Sequence, residues 1–260
     1  MEKVADRLLT TSAAHASDPT VDIDWQTPLS EDAWYWQPER ISLYGTPLWQ
    51  RMDQRQRLLL SRSEAVNALS TATWLEFCLI RMLARHLSSG DFTDSRSRYA
   101  LVEIGEETRH SLMFAQLILA LGSPAYRPPA TPRWPFEVFE KLLLRGPSLF
   151  ALTLVGEEVF DRWQRATMAD ERVQSLIRQV CRFHVIEESR HVRFARTELS
   201  HAVARTSPAG LARHRQVTAL AACLFMSIST NPEIYRAVGL DPDEAGRQAR
   251  RNPHFRRTTR

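Results

Sequence analysis

The sequence predicts an all-α protein built on a four-helix bundle core, with extra helices and an N-terminal arm. Three observations carry that reading. Glycines number only nine in 260 residues, and period-2 alternation of apolar and polar residues is scarce, so a sheet has little to be made from. From Asp53 onward apolar residues recur at helical spacing in several long runs. Finally, Glu106-Glu107-Thr108-Arg109-His110 returns as Glu187-Glu188-Ser189-Arg190-His191, a repeat placed on two different runs.

Taken in order, residues 1–50 show no sustained period and mix Asp, Pro and Ser with Trp25, Trp34, Trp36 and Trp49. They read as an extended arm that its tryptophans fasten to the body. Residues 51–240 form the bundle domain. Ser63-Glu64 starts a long helix through Leu87, stopped by Ser88-Ser89-Gly90. Asp94 or Ser95 caps a second helix running to Leu121, which Gly122-Ser123-Pro124 ends. Residues 122–135 hold five prolines and read as a loop beside the site, followed by a short helix over 136–144. Pro147 suits the first turn of a third long helix reaching Met168. Asp170 is placed to cap the fourth, which continues to about Ala204. Pro208-Ala209-Gly210 then breaks the pattern, a helix covers 211–228, and Asn231-Pro232 begins a short one. Residues 241–260 are an Arg-rich tail.

The chemistry gathers on four helices. In helical register His184, Glu188 and His191 sit at i, i+4 and i+7 on one face. Burying them without partners would be costly. Two Glu-x-x-His motifs, Glu107/His110 and Glu188/His191, with a lone Glu on each of two other helices, make the ligand plan of a di-metal carboxylate bundle. Glu76 lies in a small and apolar stripe with Ala72, Leu79 and Leu83. On the third helix Glu157 shares its face with Phe150, Thr153 and Phe160, whereas Glu158 shares its face with Asp161, Arg162 and Arg165. The phase therefore selects Glu157. Glu188 is selected over Glu187 because it alone has the ligand spacing to His191. His184 exceeds the basic plan: it is either a third imidazole ligand or a core histidine held by a neighbour. Arg109 and Arg190 either orient ligand carboxylates or form surface ion pairs. Glu103 can stand behind the ligands or pair with an Arg. Glu171, Glu198, His201 and His214 read as surface residues.

Carboxylate and imidazole donors suit iron, with manganese possible in one position, better than zinc. Four Glu against two divalent ions approach the charge neutrality that a buried site needs. Cys78, Cys181 and Cys223 lie in apolar helical patterns without a Cys-x-x-Cys, which argues against disulfides or thiolate-bound zinc. The net charge of +4 is mild, and every basic residue other than Lys3 and Lys141 is Arg. This gives no footprint for nucleic acid. The stretch from Val217 to Ile228 is too short to span a bilayer, and the first twenty residues lack a secretory pattern, so a cytoplasmic protein away from membranes is expected. No glycine-rich flavin or nicotinamide fingerprint occurs, so electrons are expected from an external donor, a reductase or small carrier.

The set Glu76, Glu107, His110, Glu157, His184, Glu188 and His191 resembles the p-aminobenzoate N-oxygenase family, di-iron arylamine oxygenases of antibiotic biosynthesis, over roughly residues 55–230. The resemblance implies a ferritin-like bundle, often a homodimer, holding two Fe ions and using O₂ as co-substrate. It implies activation of O₂ as a peroxo species and N-oxygenation of an amine, a small organic molecule. The turn before Glu76 departs from the family in one respect: Ser70-Thr71-Ala72-Thr73 offers no Arg for a substrate carboxylate. C–H hydroxylation or desaturation on the same cluster, and ferritin-like iron binding, are the alternative readings.

Overall fold

The structure is a computed structural model that describes residues 2–88, 90–128, 130–228 and 230–254, with backbone only for 130–133 and 228. Eleven α-helices and no strand occur among the described residues. Four long helices make the bundle: α4 (Gln54–Leu87), α5 (Ser95–Ala120), α7 (Pro147–Met168) and α8 (Ser175–Ala204). At 1.5 Å per residue α4 runs about 50 Å. Short loops return α5 beside α4 and α8 beside α7, and contacts between α5 and α8 join the two pairs.

Local chemistry sets most boundaries. Asp94 caps α5 by accepting from Ser97 N at 2.7 Å, and Gly122 ends it at φ +61°, a conformation that costs glycine little. Pro147 opens α7 where its missing N–H costs nothing. The start of α4 lies earlier than Ser63-Glu64. A capping box at Asp53 and Gln56, with Gln56 N donating at 2.7 Å and Asp53 N donating back at 3.2 Å, begins the helix at Gln54. Asp170 does not cap α8. It grips Arg172, while Gln174 holds the cap position without a side-chain cap bond. There the backbone is diverted to pair with the arm, Trp34 N donating to Arg172 O and Gln174 N to Trp34 O, both at 2.8 Å. Helix α6 (Ala130–Leu143) starts before Phe136, with Pro135 inside it, so the proline-rich loop is shorter than 122–135. Helix α9 (Pro208–Ile228) begins at Pro208 itself.

The first fifty residues are less extended than expected. Glu2–Ala14 is a helix, α1, that packs on α5 and α8 and buries Ala5 and Leu8. Val4, Ala5, Leu8 and Leu9 make a stripe only two turns long, which a fifty-residue average conceals. Beyond it come the short helices α2 (Pro19–Asp22) and α3 (Pro47–Arg51). Trp34 stacks on Trp49 at 6.0 Å, and Trp36 meets Trp163 of α7 edge-on at 6.3 Å. Ile41, Leu43 and Trp49 share an apolar cluster with Leu60 of α4 and with Tyr235 of α10 (Glu233–Arg236). Helix α11 (Pro242–Arg251) closes this end, where Asn252 donates to Ser42 O and Tyr44 O. Residues 255–260 of the Arg-rich end lie outside the described residues.

Candidate metal centre

The bundle brings all seven singled-out residues into one buried group. Glu76 comes from α4, Glu107 and His110 from α5, Glu157 from α7, and His184, Glu188 and His191 from α8; each is buried. Three overlapping sets, Glu107–His110–Glu188–His191, Glu76–His110–His184 and Glu76–Glu107–Glu157, each keep one donor atom per residue within 4.8 Å of the others. Glu158, one position from Glu157, is exposed and pairs with Arg196 at 2.8 Å. On α7 these two neighbouring positions, about 100° apart, point one into the bundle and the other to solvent.

Glu107 and Glu188 lie between the two repeat imidazoles. His110 Nδ1 sits 3.0 Å from Glu107 Oε2 and 3.0 Å from Glu188 Oε1. His191 Nδ1 sits 3.0 Å from Glu107 Oε1 and 3.0 Å from Glu188 Oε2. Each outward nitrogen has its own carboxylate, and the partnership crosses between the repeats. His110 Nε2 meets Glu187 Oε2 at 2.9 Å, and His191 Nε2 meets Glu106 Oε2 at 2.7 Å. With the Nε2 protons donated outward, each Nδ1 turns a lone pair toward two carboxylate oxygens. That contact is repulsive unless a cation or a proton lies between them.

A cation fits this centre. Glu107 Oε1, Glu188 Oε1 and His184 Nε2 are buried and have no hydrogen-bond partner. His184 is held from behind, its Nδ1 lying 2.8 Å from Gln164 Oε1, and its bare Nε2 is 3.3 Å from Glu188 Oε1 and 3.6 Å from Glu76 Oε1. Without a metal, protons take over the balance. Burial works against charge on His110 and His191, yet the surrounding carboxylates hold both far above the usual imidazole range. Burial, reinforced by neighbouring carboxylates, lifts Glu76 and Glu157 well above the usual range. Burial and Glu188 also push Glu107 up, but the imidazoles outweigh them and bring it down to about 2. His184 is lowered to about 4, chiefly by burial, so it is neutral near pH 7 and its nitrogen is free to bind.

Around the seven residues stand further groups, of which Glu106, Glu187 and Ser17 have no ligand spacing of their own. Glu106 and Glu187 are buried and act through the imidazoles; the doubled Glu at the head of each repeat was their visible signal. Arg190 joins them, 2.9 Å from Glu106 Oε1 and 3.3 Å from Glu187 Oε1, while Arg109 stands further off, 3.8 Å from Glu106 and 3.9 Å from Glu187. Ser17 of the arm donates to Glu187 Oε1 at 2.6 Å. Among the described residues Glu103 forms no ion pair with an Arg within 4 Å; its Oε2 is unpartnered, and burial holds its carboxyl well above the usual range. Glu198 is not a surface residue: it is buried and paired with Arg96 of α5, a long-range contact that local pattern does not reveal.

Beside Glu76, Glu157 and His184 lies a narrow cavity between α4 and α7, with Phe136 of α6 and Phe225 of α9 in its wall. Among the described residues no Arg or Lys lines it. A second apolar cavity, reaching Trp36 of the arm, shares Ala72, Phe160 and Gln164 with the first. Among the described residues no helix is long and apolar enough to cross a membrane.

Fold and centre together define a helical bundle whose buried carboxylate and imidazole cluster could hold metal, the plan of ferritin-like di-metal proteins. The chain belongs to the P-aminobenzoate N-oxygenase AurF family, whose profile matches residues 1–260. This is a di-iron oxygenase family with a ferritin-like helical fold. Among curated relatives, uncharacterized proteins of Mycobacterium tuberculosis (Rv0885) and Mycobacterium bovis (Mb0909) are each 26% identical over 186 residues, 68% of this chain. The match spans 54% of the length of those relatives.

Proposed function

We propose that the protein is a non-haem di-iron oxygenase that N-oxygenates an arylamine-like substrate. In this reading Glu76, Glu107, His110, Glu157, His184, Glu188 and His191 hold two Fe ions, and an external reductase or small carrier supplies electrons. The reading includes a cytoplasmic homodimer serving secondary metabolism, with manganese possible in one metal position. The observation that carries it is His184. Its Nδ1 is occupied by Gln164, and its Nε2 is bare, buried and turned toward Glu76 and Glu188. A third imidazole of this kind is the feature that separates the resemblance from a basic di-iron bundle.

Iron held by these residues would supply the redox chemistry for O₂ activation. The protein's own groups have other tasks. Glu107 and Glu188 span the two repeat imidazoles and would help to hold the metal pair. Glu106 and Glu187 fix the imidazole tautomers through Nε2–H, so that Nδ1 faces inward. Glu103, buried one turn from Glu107 with an unpartnered oxygen, stands behind that ligand. The apolar wall beside Glu76 and Glu157 keeps bulk water from the reacting amine.

The test is mass spectrometry of products after reduced, iron-loaded protein meets labelled O₂ and a panel of arylamines and alkyl acids. Label on nitrogen is expected. Label on carbon, or an alkene product, would replace N-oxygenation by the hydroxylase or desaturase reading. Iron uptake without any organic product would favour a storage role.

A further inference from the structure

The cavity beside the centre carries more information than its position. Around Glu76, Glu157 and His184 its wall is Leu75, Leu79, Met82, Phe136, Leu152 and Phe225. The other polar groups among the described lining residues are the Thr153 hydroxyl, the Gln164 amide and the Cys78 thiol, which accepts from Arg81, itself paired with Glu140. Gln164 is already engaged with His184, and the Thr153 hydroxyl donates to Leu149 O at 3.2 Å. A carboxylate entering here would lose its water and gain no Arg or Lys partner from the described lining residues. An arylamine is uncharged near neutral pH and loses little.

Gly156 adds a second, independent observation. It lies inside α7, where glycine is less favourable than alanine. A Cβ built there would meet nothing within 4 Å, and its φ is not in the left-handed region. Neither packing nor backbone conformation therefore requires glycine. Yet Gly156 precedes Glu157 and lines the cavity. The space its missing side chain leaves belongs to whatever occupies that cavity.

Resting on the N-oxygenase reading, we propose that the substrate is an uncharged arylamine bearing an apolar substituent and no carboxylate, and that Gly156 sets the room for it. The amine faces Glu76, Glu157 and His184, and the substituent lies along the apolar wall. Gly156 is a specificity-determining residue that takes no part in holding metal.

The experiment is calorimetric titration of the full-length, iron-loaded, reduced protein without O₂, so that binding is read apart from turnover. The probes are aniline, 4-butylaniline and p-aminobenzoate. 4-Butylaniline should bind at least about tenfold more tightly than p-aminobenzoate, equivalent to about 1.4 kcal/mol. Equal or tighter binding of p-aminobenzoate overturns the substrate class, as does failure of both neutral probes to bind. Gly156→Val should weaken 4-butylaniline by about tenfold or more, leave aniline close to the parent, and keep iron content and Tm. Gly156→Ala, whose methyl enters open space, carries the same test with a smaller loss should the valine variant not fold. Loss shared equally by aniline and 4-butylaniline, or no loss in either variant, overturns the role of Gly156. Admitting O₂ afterward separates the two claims. Tight binding without N-oxygenated product leaves the cavity assignment standing and removes the N-oxygenase reading.

Discussion

Replacing Glu187 by alanine tests whether the crossed carboxylates set up the imidazoles. The change removes the 2.9 Å partner of His110 Nε2, the acceptor of Ser17 at 2.6 Å and one of two carboxylates near Arg190. No direct ligand is lost, and Arg190 keeps Glu106 at 2.9 Å. Without its outer acceptor His110 is free to change tautomer, which would put a proton where a metal should bind. Loss of such a partner costs about 10–100-fold in metal affinity, or about 1.4–2.7 kcal/mol. Glu106→Ala should act alike on His191, whose bond is shorter at 2.7 Å. Because Arg190 touches both carboxylates, the double variant should depart from additivity, with a coupling of about 0.5–3 kcal/mol. The assay is anaerobic competition for Fe(II) against a calibrated chelator, with Ser17→Ala as a control that leaves the His110 bond in place. Parent-like affinity in both single variants would refute the reasoning. So would a loss as large as that of His110→Ala, because Glu187 would then be acting as a ligand.

Three further outcomes are expected. Glu157→Ala should lose most bound iron while Glu158→Ala stays loaded, measured by metal analysis; the reverse would mean that α7 presents its other face. His184→Ala should keep the helices and much of the iron but alter the visible absorption that follows exposure to O₂, and Gln164→Leu should reproduce part of that change. An unaltered stopped-flow spectrum in His184→Ala would remove this residue from the ligand set. Glu64 gives a pH signature away from the centre: burial, outweighing its bonds from Ser42, lifts its folded-state pKa to about 7. The protonated form is the one that folding favours, so its stability is fully present below the unfolded pKa near 4.5 and is lost as pH rises toward 7. Glu64 keeps part of its surface in solvent, which discounts the effect to about 1–3 kcal/mol. Glu64→Gln should flatten denaturation midpoints between pH 5 and 7, roughly the span set by the two pKa values.

What could be read from the sequence was what local geometry determines. Glu-x-x-His fixes two donors on one helical face whatever the rest of the chain does, and the phase of α7 separates Glu157 from an exposed Glu158. Asp94 and Pro147 mark helix starts because capping is decided within one turn. What could not be read depends on which helix lies opposite. Glu106 serves His191 and Glu187 serves His110 across 85 and 77 residues, and Ser17 reaches Glu187 across 170. Spacing contains none of those registers. Asp170 shows the converse error: a good local cap signal gave way when the arm paired its backbone with Arg172 and Gln174. Glu198 read as a surface acid because nothing near it announces Arg96 on another helix.

Charge counting gives a reason for the third histidine. Four ligand carboxylates would carry −4 against +4 from two Fe(II), an inner layer that is neutral when reduced. Around it Glu106 and Glu187 face Arg109 and Arg190, two charges of each sign. Another carboxylate in place of His184 would break the inner balance in a buried site, where uncompensated charge is costly. A neutral imidazole adds a donor and leaves the sum unchanged. Burial keeps His184 uncharged, and Gln164 fixes which nitrogen points inward. If this is why His184 is used, His184→Glu should bind iron less well than His184→Gln in the reduced state, even though glutamate is the better iron ligand. The opposite order in an Fe(II) competition titration would show that donor strength, and not charge balance, governs the position.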